Sequence, residues 1–169
     1  VVRPYLNARD IVQSPSNTWI IDFGCDVTMT DAAQYEKPFE YVKKVVKPIR
    51  EQSNNNRERE YWWLHRRPAP DMRDAVKDLR RFVITPRVSK HRLFVWRASK
   101  TIPDSSTYIF AREDDYFFGV LHSKIHELWA RATGSQLREA ESGFRYTPTT
   151  TFETFPFPWT PGEEPQNDM

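Results

Sequence analysis

Near Leu79 the spacing of apolar residues changes period, and this change constrains the fold more than any single motif. Before it, apolar positions recur at threes and fours, as on helices. After it they come as short β-branched and aromatic runs, "RFVITP", "RLFVWRA" and "STYIFAR", separated by turn-like residues. Helical segments followed by strands imply an α+β fold, a small mixed sheet with flanking helices. At 169 residues the chain suits one compact domain, expected over 1–159, with an acidic, disordered tail over 160–169.

The individual segments can be read further. "TWIIDFG" reads as a short buried strand ended by glycine. "TDAAQYE" reads as a helix capped by Thr30 and interrupted at Pro38, and Pro38 can open a second helix, "PFEYVKKVVKPIR". There Phe39, Val42, Val46 and Ile49 share one face, and Lys43, Lys47 and Arg50 a neighbouring one. "NNNREREYWWLHRRPAP" carries no clear period, whereas "PDMRDAVKDLRRF" reads as a short helix with Pro70 near its start. The longest helix expected is "DDYFFGVLHSKIHELWARATG". Asp114 or Asp115 caps it, Phe117, Phe118, Leu121, Ile125, Leu128 and Trp129 form its apolar stripe, and Gly134 ends it.

Composition narrows the chemistry. No apolar run approaches the ~18 residues needed to cross a bilayer, and no signal peptide is visible. Cys25 is the lone cysteine, which excludes an internal disulfide and fits a reducing, cytoplasmic setting. The chain starts without methionine, as expected of a piece of something longer. With five glycines and no GxGxxG, Walker or GxSxG pattern, no phosphate cradle or nucleophile elbow is present. His122, His126 and Glu127 invite a zinc reading, but the glutamate does not lie between the histidines and no third ligand is spaced to join them. No carboxylate pair is marked out for acid–base work. These absences describe a binder with no catalytic or metal residues.

The charge is unevenly spread. From Tyr41 to Lys100 there are 17 cations against six anions, a local +11 in a chain whose net charge is +2. A polyanionic partner accounts for that excess, and so do solvated helix faces. "TPRVSKHRLFVWR" concentrates it: Arg87, Lys90 and Arg92 stand between two apolar runs that would anchor a loop. Such a loop can offer Lys90 or Arg92 to guanine, while Arg81 and the Lys43, Lys47 and Arg50 face suit phosphates. Trp62 and Trp63 suit either stacking on unpaired bases or a core.

"RPYLNARDI", "WIIDFG", "PFEYVKKVVKPIR", "RFVITPRVSKHRLFVW", "FFGVLHSKIHELWARATGSQL" and "FRYTPTTTFETFPFPW" follow one another in this order. Together, from Arg3 to about Trp159, they resemble the target-recognition region of MmeI-like adenine DNA methyltransferases, single-chain enzymes of restriction–modification and phage defence. The resemblance implies a module that reads duplex DNA for a methyltransferase domain of the same parent chain. Neither the [ND]PP[YF] tetrapeptide nor a glycine-rich S-adenosylmethionine site occurs here, so methyl donor and catalysis are assigned to that other domain. The resemblance further implies base-reading positions at Arg87, Ser89, Lys90 and Arg92, then at Gln136, Arg138, Glu139, Glu141 and Arg145. "FPFPW" is expected to pack as a clasp. Two other readings are a protein–protein docking module using Trp62, Trp63 and the proline–aromatic end, and a freestanding enzyme using the histidines or carboxylates.

Overall fold

The computed structural model describes residues 1–136 and 143–164, with the backbone alone for Gln136. The chain opens with β1 (Val2–Leu6), α1 (Arg9–Val12) and β2 (Trp19–Ile21). Five helices follow: α2 (Met29–Ala33), α3 (Glu36–Val45), α4 (Lys47–Glu51), α5 (Asn56–Glu60) and α6 (Pro70–Val76). Then come β3 (Arg81–Pro86), β4 (Val88–Ser89), β5 (Val95–Ala98), β6 (Ile102–Pro103) and β7 (Thr107–Phe110). The last elements are α7 (Asp115–His122), α8 (Lys124–Thr133), β8 (Ser135–Gln136), β9 (Phe144–Arg145) and a π-helical turn over Pro148–Phe152. The fold is α+β, with three small sheets. No described helix is long and apolar enough to cross a membrane.

The chain forms two compact units. The first comprises Val1–Tyr5, Asn17–Asp78 and Lys100–Ile102; the second comprises Leu6–Ser16, Leu79–Ser99 and Pro103–Met169.

In the first unit the strand order is β2–β1–β6, with β1 and β2 antiparallel and Arg3 opposite Ile20. The strand expected to be buried is an edge strand, and its Trp19 is 61% exposed. Burial begins just beyond it, at Asp22 and Phe23. Thr28, not Thr30, caps α2: its Oγ1 accepts the Asp31 N–H at 3.1 Å and donates to the Asp31 carboxylate at 2.7 Å. Pro38 is the third residue of α3 rather than its first, still within the turn where a missing N–H costs no bond. Pro48 cannot donate to the preceding turn, and the single helix expected over 38–50 is instead divided into α3 and α4. The expected apolar face therefore holds at Phe39 and Val42 but is lost at Ile49, which is 69% exposed. Phe23, Ala32, Phe39, Val42, Trp62 and Leu64 form the core, so Trp62 is a packing residue. The carboxylate of Asp22, 1% exposed, accepts two bonds from Arg73 at 2.7 and 2.9 Å and one from Arg3 at 3.3 Å. Burial alone would raise its pKa, but the bonds and charge of Arg73, with Arg3 and His65, hold it below the ordinary carboxylate value.

In the second unit β3 is central, flanked antiparallel by β5 and β7, with Val83 opposite both Trp96 and Phe110. Phe82, Val83, Ile84 and Thr85 are all buried, which explains a continuous apolar run where an alternation marks a half-exposed strand. The expected long helix is broken at Ser123, whose extended backbone ends α7 and whose Oγ caps α8 by accepting the His126 N–H at 3.1 Å. The break resets the helical phase. Phe117 and Leu121 stay buried, but in α8 the buried positions are His126 and Ala130, while Ile125 and Leu128 are 71% and 56% exposed. Asp114 caps α7, accepting the Phe117 N–H at 2.7 Å. Phe155 is buried and Phe157 stacks on Phe117 at 5.9 Å, so the proline–aromatic end closes over this core. Beyond it, Glu164 accepts a bond from Arg112 at 2.8 Å; residues 165–169 lie outside the described ones.

Candidate nucleic-acid interface

β4, β9 and β8 form one antiparallel sheet, in which Val88 and Ser135 both face Arg145 and Ser89 faces Phe144. The two sets of expected reading residues, about 50 positions apart in the chain, thus contribute strands to one sheet. The pairing continues beyond β4, since the Tyr146 N–H donates to the Arg87 carbonyl at 2.8 Å. Gly143 permits the close approach: its φ is +82°, and a Cβ there would collide with the backbone of Ser89 and Lys90.

The side chains fall into two groups. Arg87, Lys90 and Arg145 are exposed. The Arg87 guanidinium lies 4.6 Å from the Tyr108 ring centroid and its Nε donates to the Thr107 carbonyl at 3.3 Å, an arrangement that braces the stem and leaves the outer nitrogens available. Lys90 and Arg145 make no side-chain hydrogen bond or ion pair among the described residues. The cross-strand neighbours of Arg145 are a valine and a serine, neither of which can neutralise it.

Ser89 and Arg92 turn inward. Buried Ser89 donates from Oγ to the His91 carbonyl at 2.6 Å. Arg92 donates to Thr85 Oγ1 at 3.0 Å, to the Pro86 carbonyl and to the Phe144 carbonyl at 3.4 Å. Its guanidinium also lies 4.9 and 5.0 Å from the Phe144 and Tyr146 ring centroids. Burial draws its pKa down to about 10, so it stays charged at neutral pH. Arg92 therefore ties the end of β3 to β9. Of the later positions, Gln136 pairs through its backbone opposite Phe144, and Arg138, Glu139 and Glu141 lie outside the described residues.

The supports of this sheet are aromatic. His126 Nδ1 donates to the Leu121 carbonyl at 2.9 Å, which leaves Nε2 to accept the Tyr146 hydroxyl at 3.0 Å. Burial, with Arg92 and His122 nearby, lowers the His126 pKa to about 4, and burial raises that of Tyr146. His122 donates to the Phe94 carbonyl at 2.8 Å. Both histidines are thus occupied by the protein's own polar groups.

The expected phosphate-contacting cations are engaged by the protein's own groups. Lys43 meets Glu40 at 3.2 Å and Lys47 meets Glu51 at 3.7 Å. Arg50 donates to the Trp62 carbonyl at 3.3 Å and to that of Leu64, and its burial lowers its pKa. Arg81 stacks on Trp96 at 3.9 Å and donates to Asp115 at 2.7 Å. No sequence signal separates Arg50 and Arg92 from solvated cations, because the carbonyls of Trp62, Leu64 and Phe144 that they bind lie outside their own segments.

Comparison with known proteins bears on this arrangement. A search of curated proteins returns no match. Among solved structures the fold is similar to that of the Type IIL restriction–modification enzyme MmeI, solved in complex with DNA. The TM-score is 0.64 at 18% identity, and the match covers 98% of this chain and 21% of that one. The model of the MmeI target recognition domain matches residues 1–159, and the chain belongs to that family.

Proposed function

We propose that this chain reads a short duplex DNA sequence on behalf of an S-adenosylmethionine-dependent adenine-N6 methyltransferase of restriction–modification type, working in the cytoplasm. The methyl donor site and the catalytic residues belong to another domain of the same parent chain, where base flipping exposes the adenine. The observation that carries this reading is the β4–β9–β8 sheet, with Arg87, Lys90 and Arg145 exposed and without a carboxylate partner among the described residues. In the major groove arginine or lysine pairs with guanine O6 and N7. Arg138, Glu139 and Glu141, with Gln136, join this set as candidates for further bases. Ser89 and Arg92 act behind the reading surface by fixing its shape. Lys43 and Lys47, whose acidic partners are exposed, suit exchange onto phosphates. The exposed Ile125 and Leu128 suit contact with the methyltransferase part of the parent chain.

The test is a titration of labelled duplex DNA at several salt concentrations, followed by anisotropy. The expected log–log salt slope is about −3 or steeper, equivalent to three or more neutralised phosphates. Absence of binding at ~20 mM salt, where screening is weak, would overturn the reading.

A further inference from the structure

In the first unit two hollows share Arg57 and Tyr61 in their walls. The smaller, about 160 Å³, is lined also by His65, Arg66, Arg67 and Glu58. Its one acid is already engaged, since Glu58 meets Arg66 at 3.4 Å and accepts the Ser53 hydroxyl. The side chains of Arg57 and Arg67 make no hydrogen bond or ion pair among the described residues, and both are exposed. Arg57 instead lies 5.9 Å from the Tyr61 ring centroid. The larger hollow, about 460 Å³, is bounded mainly by Val27, Met29, Tyr61, Trp63 and Leu64, with Asp26 and Thr28 also in its wall. Its aromatic wall is fixed: Trp63 Nε1 donates to the Val27 carbonyl at 2.9 Å, and the Tyr61 and Trp63 rings lie 5.7 Å apart at 52°.

An uncompensated cationic hollow beside an apolar, aromatic one matches a phosphate joined to a flat heteroaromatic ring. We propose that this pair of hollows takes an unpaired nucleotide of DNA, with its phosphate at Arg57 and Arg67 and its base against Tyr61 and Trp63. A base held in a duplex stack cannot enter such a hollow, so the site is distinct in kind from the strand-borne reading surface. None of the cations or aromatics just named lies on that surface. The inference rests on the DNA-binding reading above and extends it to a single-stranded element, such as a nucleotide displaced where the duplex is opened.

The test compares a short 5′-phosphorylated oligodeoxythymidine with a duplex of equal length, using the intact 169-residue chain. Tryptophan quenching and competition against labelled duplex report the binding. The oligodeoxythymidine is expected to bind and to quench. Arg57→Ala with Arg67→Ala should weaken that binding about tenfold and flatten its salt slope by about 0.7, the value for one lost single-strand phosphate contact. Tyr61→Ala should weaken it about tenfold with the slope unchanged, because stacking releases no counterions. Replacing both arginines by lysine should restore the slope, a rescue that loss of folding would not permit. Duplex binding by the wild type with no oligodeoxythymidine binding would overturn the inference and leave the DNA-reading function standing. Equal weakening of duplex and single strand in the arginine variant would also overturn it, as a plain backbone contact. Binding of neither DNA would overturn both.

Discussion

The cationic face of α3 and α4 and the β4–β9–β8 sheet start from the same compositional signal and end with different availability. On the helices, residues three or four apart are neighbours, so Lys43 finds Glu40 and Lys47 finds Glu51 within their own segments. On the sheet a cation's neighbours are set by register, and register puts Val88 and Ser135 beside Arg145. Local pairing lowers what a helix face can offer to a polyanion, whereas a strand pair can leave its charges uncommitted. Each region also spends one arginine internally. Arg50 holds the carbonyls of Trp62 and Leu64, and Arg92 holds those of Pro86 and Phe144. The second clasp lies directly under exposed reading candidates and the first does not.

The largest effect is expected from cutting these clasps. Arg92→Ala removes a charged donor set from Thr85, Pro86 and Phe144 and leaves a void between two rings. A loss of about 3 kcal/mol in urea unfolding is expected, together with loss of discrimination between target and random duplex. Arg50→Ala should cost about 2 kcal/mol and leave discrimination intact, because it touches no part of the sheet. Equal loss of discrimination in both variants would erase the contrast between the regions.

The next effect is a pH dependence peculiar to the second unit. His126 has a folded pKa of about 4 against about 6.5 when unfolded, so the unfolded chain takes up the proton first. Stability contributed by the neutral ring is therefore complete above about 6.5 and is lost as pH falls from there toward 4. The slope is up to about 1.4 kcal/mol per pH unit. Asp22, with its pKa held down, acts in the same direction but lower, its contribution being lost as pH falls below the ordinary carboxylate range and through its own folded pKa. Urea unfolding of the wild type and of His126→Gln at pH 7 and 5 separates the two. The variant should lose the part of the slope between 6.5 and 5. An unchanged slope would mean that His126 is not held neutral.

Local patterns made the element types readable, and non-local contacts decided how their side chains are used. The change of period near Leu79 is a short-range property, and the helices and strands on its two sides follow from it. Pro48 was in plain view inside its run, and its missing donor explains the division of α3 from α4. Ser123 was the less visible break. Ser123 caps the N–H of the residue three positions on, as at a helix start, but it lies within an otherwise regular apolar stripe that hides the break. The consequence is large, since it exchanges Ile125 and Leu128 for His126 and Ala130 on the buried face. At the candidate site, sequence spacing carried nothing to distinguish Lys90 from Arg92. The rings and carbonyls that draw Arg92 inward are supplied by Pro86, Phe144 and Tyr146, and the last two arrive from about 50 residues away.

The smallest effects are the sharpest test of the comparison. Lys90→Ala and Arg145→Ala remove exposed side chains with no partner among the described residues, so each should change unfolding stability by less than about 0.5 kcal/mol. If these residues read bases, each should cost about 1–3 kcal/mol of discrimination at one position of the target, measured against a set of single-substituted duplexes. Lys43→Ala gives the control on the helical face. Its loss of a weak pair with Glu40 should change stability by a few tenths of a kcal/mol. Its effect on DNA should be uniform across sequences, with the duplex salt slope shallower by about 0.9. Uniform loss in all three variants would place Lys90 and Arg145 on phosphates alone. Position-specific loss on the sheet with uniform loss on the helix would assign reading to register and attraction to composition.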